Sequence, residues 1–110
     1  APGVTQLLPD GQVINIHPWE HNEVAPALAA ALATDVPIVA IHLTRPPIEI
    51  PDRKALGMAS HLDAAKGAYI IKDYEIDRSK EGLVIVRGTS STNSLVKILP
   101  KLKSEGPNVK

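Results

Sequence analysis

Two short apolar runs flank a stretch of helical periodicity in the first part of this chain. Val13–Ile16 and Pro37–Leu43 are rich in β-branched residues, which fit a sheet that is covered on both faces. Between them, apolar residues recur at helical spacing, at Val24, Leu28, Ala31 and Leu32. Asn22 is expected to cap this helix, with Glu23 in its first turn. Strand, helix and strand in this order predict a βαβ unit with a parallel sheet.

A proline-rich segment separates this unit from a second apolar pattern. Its prolines keep residues 44–52 extended, and a weak helical stretch follows over Lys54–Lys66. Ala68–Tyr74 and Leu83–Arg87 are predicted strands, and the apolar spacing after them predicts a helix over Thr92–Ser104. The predicted fold class is therefore α/β, with a parallel-sheet βαβ unit, a proline-rich linker, and the first strand and helix of a second α/β domain.

The composition excludes several classes of function. The chain has 110 residues, which is about one small domain. Twelve basic residues balance twelve acidic ones, with one Trp, two Tyr and no Phe, so nucleic-acid and membrane-surface binding are disfavoured. There is no cysteine, which excludes thiolate chemistry and fits a reducing cytoplasm. No run approaches the roughly 18 apolar residues of a membrane span.

The two ends of the chain favour a fragment of a longer protein. The sequence begins at Ala1 without a methionine, and it ends at Lys110, just after a helix-ending glycine, where the next strand is expected. A βα pattern that stops before its next strand leaves a half-built unit. Removal of the initiator methionine and a short polar tail are the alternative interpretation.

Arg45 is the strongest candidate for a binding residue. It follows the predicted strand Pro37–Leu43 at its carboxyl end, where open α/β sheets bind ligands. A guanidinium can hold a phosphate or a carboxylate with two parallel hydrogen bonds. The structural alternatives are a local ion pair with Glu49 or Asp52, or a solvated arginine in the linker.

A second cluster of chemically capable residues lies before the first helix. His17 and His21 have the spacing of a helical metal pair, but Pro18 follows His17 directly and favours capping or surface packing instead. Glu20 and Glu23 have the residue types of a general acid/base pair. Carboxylates at a helix N-terminus are also favoured by the helix dipole alone, and this is the preferred interpretation.

Two further segments carry polar residues that enzymes use. Gly88–Ser91 offers backbone N–H groups and hydroxyls for an anion, but it lacks GxGxxG spacing and a Walker lysine. A serine or threonine cap for the following helix, which Pro100 is expected to kink, is the simpler interpretation. Ser60, His61 and Asp63 are too close in sequence to form a triad, which draws its residues from separate elements.

Four segments, in chain order, resemble segments of the transketolase family. Pro18–Glu23 resembles the family's Arg-Pro-x-Asp-x-x-Glu, and Leu43–Pro46 resembles a strand that ends in Leu-Ser-Arg-Gln. Ala65–Asp73 resembles Gly-Gly-Tyr-Val-Leu-x-Asp, and Leu83–Ser91 resembles Ile-x-Ala-Thr-Gly-Ser-Glu-Val. The chain departs from the family where His17 replaces the first arginine, where proline replaces the glutamine, and where the last segment lacks its acidic residue.

The resemblance implies a place within a larger enzyme. Residues 1–52 would end a pyrimidine-binding domain, residues 53–77 would be a linker, and residues 78–110 would begin the C-terminal domain. The full enzyme would be a cytoplasmic homodimer of the pentose phosphate pathway that transfers two-carbon ketol units between sugar phosphates. It would use thiamine diphosphate and a divalent cation, Mg or Ca. Arg45 matches the family's arginine that binds the substrate phosphate.

The resemblance also implies what this segment lacks. The catalytic, cofactor-binding and metal-binding residues of the family lie outside it, so the isolated chain is expected to be inactive and to bind no cofactor. Deoxyxylulose phosphate synthase and the pyruvate dehydrogenase β-type subunit share the domain plan and are alternative parents. A different alternative is a stand-alone, non-catalytic α/β binding or assembly module, whose unfinished sheet edges recruit a partner strand.

Overall fold

The computed structural model describes residues 7–45 and 47–110 and has a mixed α/β structure. The strands are β1 (Val13–Ile16) and β2 (Ile38–Ile41), and the α-helices are α1 (Val24–Leu32), α2 (Arg53–Leu56) and α3 (Thr89–Glu105). Short 3₁₀ helices span His21–Glu23 and His61–Lys66. The expectations that involve Ala1 and Pro46 fall outside the described residues.

The first two strands pair in parallel, with α1 between them in the chain. The register runs from Val13 opposite Ile38 to Ile16 opposite Ile41. β2 is shorter than the predicted Pro37–Leu43, but the next backbone bond continues the ladder, because His42 N–H donates to the Ile16 carbonyl at 3.0 Å. The carboxyl ends of both strands therefore meet at one edge of the sheet.

The start of the first helix differs from the prediction. Asn22 is not its cap, because it lies in the 3₁₀ helix that precedes α1, and no side chain caps either helix. Glu23 provides the local side-chain bond instead, since its carboxylate accepts from the Trp19 N–H at 3.1 Å. The Glu23 carboxylate thus supplies an acceptor for the Trp19 backbone N–H, four residues earlier, just before the chain enters α1.

The helical pattern predicted over Lys54–Lys66 is present in two pieces. Gly57 separates α2 from the second 3₁₀ helix and adopts φ 68°, a left-handed conformation that suits glycine. Asp52 caps α2 by accepting from the Ala55 N–H at 3.1 Å, and Ser60 caps the 3₁₀ helix by accepting from the Leu62 N–H at 3.2 Å. A side chain directly before each of these two helices therefore caps its N-terminus.

The two strands predicted in the second half of the chain are wrong. Ala68–Tyr74 is irregular, and Leu83–Arg87 forms no strand, although Gly82 makes an isolated parallel bridge to Val109. An apolar run becomes a strand only when another strand takes up its backbone hydrogen bonds. Within the described residues the pairing goes no further than the Val84 N–H, which donates to the Lys110 carbonyl at 2.8 Å. Leu83 and Ile85 consequently remain 64% and 84% exposed.

The last helix is longer than predicted and begins differently. α3 starts at Thr89, and its N-cap is Gly88 with φ 80°, without a capping side chain. The predicted serine or threonine cap is therefore wrong, since a glycine supplies the left-handed turn that leads into the helix. Pro100 lies inside α3.

One apolar cluster joins the three predicted segments of the chain. Trp19, Met58, Val96 and Leu99 are each at least nine-tenths buried and pack together. Leu99, with 1% of its surface exposed, holds α3 against the residues that follow β1. Full burial of such side chains contributes about 1.5–3 kcal/mol each, which fixes the surroundings of the site described next.

Candidate functional site

Arg45 lies exposed four residues after the end of β2. Among residues 7–45 and 47–110, no ion pair joins it to Glu49 or Asp52. The Asp52 carboxylate is used instead to cap α2. Arg45 therefore follows the carboxyl end of β2 in the chain, and neither of these two carboxylates pairs with its guanidinium.

Two histidines stack directly at that edge. The rings of His17 and His42 lie 4.3 Å apart between centroids and 8° from parallel. His42 Nε2 donates to Asn15 Oδ1 at 2.9 Å, which fixes the orientation of its ring. The sequence spacing directed attention to His17 and His21, but the structure pairs His17 with His42. The signal that predicts this pair is the parallel register, because each histidine directly follows one of two adjacent strands.

The environment of His17 disfavours positive charge on its ring. Burial lowers the pKa of His17 below its ordinary value, and the charges of His42 and Arg87 lower it further. His17 is accordingly neutral at pH 7. The edge of the sheet thus holds an uncharged imidazole close to groups that would repel its proton.

A buried ion cluster lies behind this edge. Arg53 Nη2 donates to Glu23 Oε1 at 2.8 Å and to Glu20 Oε1 at 3.2 Å. The exposed fractions of the three side chains are 10% for Arg53, 0% for Glu20 and 4% for Glu23. Arg53 Nη1 also donates to the Ala59 carbonyl at 3.1 Å. These contacts assign the two carboxylates to an ion-pair network rather than to a solvent-accessible acid/base pair.

Tyr69 and Trp19 complete this cluster. The Tyr69 hydroxyl donates to Glu23 Oε1, and it accepts from Trp19 Nε1 at 2.8 Å and from Arg53 Nη1 at 3.2 Å. The Arg53 guanidinium also lies 5.6 Å from the Trp19 ring centroid and 5.5 Å from that of Tyr69. Burial opposes the charge on Arg53, but the bonds to Glu23 and Tyr69 raise its pKa above the ordinary value. The guanidinium of Arg53 is therefore held in its charged form.

The charges of the cluster do not balance. Two carboxylates face one guanidinium, and Glu20 Oε2 and Arg53 Nε are buried without a hydrogen-bond partner among the described residues. An ion pair in this environment is costly to break, because removal of one partner leaves a buried charge uncompensated. The cluster therefore ties Arg53 firmly to the start of α1.

The Tyr69 hydroxyl is expected to lose its proton only at high pH. Burial, and then the bond to Glu23, raise its pKa to about 12, whereas an unfolded tyrosine titrates near pH 10. The fold therefore favours the neutral phenol, and the free energy of unfolding falls as the pH rises above about 10. Ultraviolet absorbance of the folded protein should show a phenolate step near pH 12 that Tyr69→Phe removes. A step that persists in Tyr69→Phe would contradict the assignment.

A cavity of about 740 Å³ lies between the sheet and α3. Its walls are mainly apolar and come from β1, from the exposed run that begins at Leu83, and from the inner face of α3. His17, Arg87 and the buried Glu23 contribute polar groups to the lining. Large apolar cavities with a few polar groups are the usual form of small-molecule sites.

The remaining candidates from the sequence do not assemble into sites. Gly88 is the N-cap of α3 and Thr89 its first residue, without a capping side chain. Ser60 caps a 3₁₀ helix, while Asp63 pairs with Lys66 at 3.0 Å, so neither is arranged with His61 as a triad. In the part of the chain that the structure describes, no three His, Cys, Asp or Glu side chains are grouped to hold a metal ion.

Two broader findings complete this description. Among the described helices, none has both the length and the apolar character needed to cross a membrane. Comparison of the sequence with protein-family models and with curated proteins, and comparison with solved structures, finds no match to this chain. The function proposed for this chain therefore depends on the geometry of the site.

Proposed function

We propose that this chain is a segment of a transketolase-like enzyme, in which Arg45 binds the phosphate group of the sugar substrate. The observation that carries the proposal is the position of Arg45: exposed after β2, near the carboxyl edge of a parallel strand pair, and unpaired with Glu49 or Asp52. Ligands of α/β sheets bind at this edge, and a free guanidinium there suits a phosphate.

In this proposal, β1, α1 and β2 are the last βαβ unit of a pyrimidine-binding domain. Residues 53–77 are the linker, and α3 opens the C-terminal domain. The parent is a cytoplasmic homodimer. Thiamine diphosphate with Mg or Ca supplies the carbanion chemistry of ketol transfer when it is bound. The proposal assigns the cofactor site to other domains of the parent and expects the isolated chain to be inactive.

Replacement of Arg45 by Ala in the full-length enzyme tests this function. The loss of a charge-assisted contact to the phosphate should remove about 2–3 kcal/mol of binding free energy and raise KM for phosphorylated sugars by about 30-fold or more. kcat should change little, because the contact exists in both the ground state and the transition state. Steady-state kinetics with sugar-phosphate pairs measure both constants.

Arg78→Ala is the matched control for this experiment. Arg78 is a partly exposed arginine in a charged loop, paired with Glu75 at 3.1 Å, and its removal should leave KM unchanged. Equal kinetics for the Arg45 and Arg78 variants would remove Arg45 from the substrate site. Absence of any thiamine-dependent ketol transfer by the full-length protein would reject the proposed enzyme or direct attention to the related thiamine enzymes.

One observation favours a second candidate, a stand-alone binding or assembly module. The segment from Leu83 to Ile85 is apolar and belongs to no strand, yet its residues are 64%, 49% and 84% exposed. Exposed apolar segments of this kind recruit partner strands. An antibody against this segment distinguishes the two candidates in the source lysate. A band several times larger than 11.7 kDa supports the enzyme, and a band at this mass supports the module.

A further inference from the structure

Three basic side chains meet at one side of the large cavity. His17 follows β1, His42 follows β2, and Arg87 precedes α3, so three separate parts of the chain contribute them. His17 and Arg87 both line the cavity, and the ring of His42 stacks on that of His17. None of these groups is fully buried. A ligand in the cavity has direct access to His17 and Arg87, and His42 adjoins the site through its stack on His17.

No carboxylate neutralises this group. In the described ranges, no ion pair involves His17, His42 or Arg87. Glu23 lines the same cavity, but its carboxylate is bound by Arg53, Tyr69 and the Trp19 N–H.

The other cations of the cavity lining are engaged elsewhere. Lys72 Nζ donates to the Val109 carbonyl at 2.8 Å, and Lys110 pairs with Asp73 at 3.4 Å. Arg87 and His17 are therefore the basic groups of the lining that the described residues leave available to a ligand. His42 already donates from Nε2 to Asn15, so it can donate to a ligand only from Nδ1 when the ring is protonated.

Like charges that a fold gathers without a counter-charge are repulsive unless a ligand supplies the opposite charge. The charges of His42 and Arg87 disfavour the protonated form of His17, as its lowered pKa reports. An oxyanion between these groups would reverse the effect, because it would accept charge-assisted hydrogen bonds from the guanidinium and from protonated imidazoles. The adjoining apolar walls would at the same time cover an apolar part of the ligand.

We propose that His17, His42 and Arg87 form a binding site for a small organic oxyanion, a phosphate or sulfate ester whose apolar part occupies the cavity. This site is separate from Arg45 and does not depend on the function proposed above. Its affinity rises as the pH falls, because the histidines donate to the oxyanion fully only when they are protonated.

Hexyl sulfate and inorganic sulfate are suitable probes, since neither changes its charge between about pH 5.5 and pH 8. Calorimetry on the 110-residue protein should show hexyl sulfate binding at least about tenfold more tightly than sulfate, because its chain buries apolar surface. Affinity should rise about tenfold from pH 8 to pH 5.5, and the imidazole proton signals of His17 and His42 should shift on binding. Equal affinity for the two probes would overturn the proposal.

His17→Gln, His42→Gln and Arg87→Gln should each weaken hexyl sulfate binding about tenfold at pH 5.5. Arg87 is exposed, so its variant tests the site without disturbing the core. His21→Gln and Arg78→Gln are the matched controls and should bind as the parent does, since Arg78 is paired with Glu75. Parent-like binding of hexyl sulfate by His17→Gln and Arg87→Gln would overturn this site while leaving the proposed role of Arg45 intact.

Discussion

Replacement of Arg53 by Met is expected to destabilise the fold by about 3–5 kcal/mol. The variant leaves Glu20 and Glu23 buried with no cation, since Arg53 is the ion-pair partner of both within the described residues. It also removes donors to the Tyr69 hydroxyl and the Ala59 carbonyl. A small domain has about 5–15 kcal/mol of stability in total, so much of the folded population is at risk. Urea unfolding followed by Trp19 fluorescence measures the loss.

Three further variants test whether the uncompensated carboxylates cause the loss of stability in Arg53→Met. Arg53→Lys keeps the charge but loses the planar fork that serves four acceptors, and it should retain part of the stability. Adding Glu20→Gln and Glu23→Gln to Arg53→Met removes the uncompensated charges and should recover stability. Lys66→Met breaks an exposed pair with Asp63 and should cost less than about 1 kcal/mol. If Arg53→Met cost no more than Lys66→Met, the cluster would have no structural role.

The sequence predicted part of this cluster for a local reason. Glu20 and Glu23 stand at the start of a helix, which short-range rules recognise. Arg53 lies 30 positions after Glu23 in the chain, and Tyr69 lies 46 positions after it. No pattern of spacing connects residues so far apart, because their contact depends on how the segment after β2 returns to the start of α1. The ion-pair network was therefore visible only in three dimensions.

The stacked histidines show a second limit of prediction from the sequence. Both strands before them were predicted from apolar runs, and parallel pairing was expected from the intervening helix. The step that sequence reasoning lacked was the register, which places His17 beside His42. Sequence proximity favoured His21 instead. Pairing between predicted strands is therefore a better guide to shared edges than spacing along the chain.

The predicted strand Leu83–Arg87 failed for an energetic reason. Its residues have high strand propensity, but propensity reflects packing against neighbouring strands and not an intrinsic preference of the backbone. Here Val84 N–H bonds to the Lys110 carbonyl at 2.8 Å and Lys110 N–H to the Gly82 carbonyl at 3.2 Å, so pairing begins at this point. The same residues would form a strand if a neighbouring segment extended that ladder.

Replacement of Asn108 by Asp is expected to destabilise the fold by about 3 kcal/mol at pH 7. Asn108 is fully buried, and its Nδ2 donates to the carbonyls of Glu75, Arg78 and Ser79 at 3.1, 3.1 and 3.2 Å. Its Oδ1 accepts from the Glu75 N–H at 2.8 Å. An aspartate has nearly the same shape but donates nothing when it is ionised, so its negative charge would face three carbonyl oxygens.

The pH dependence separates this cause from a simple loss of packing. The fold disfavours the ionised form of the new carboxyl group, so its folded pKa should lie above the unfolded value near 3.9. The destabilisation is then present above that value and shrinks as the pH falls toward 4, where the protonated acid regains one donor. Asn22→Asp, at an exposed position, is the matched control and should change stability by less than about 0.5 kcal/mol. Equal, pH-independent losses in the two variants would show that the Asn108 amide does not hold the 75–79 loop against the C-terminal residues.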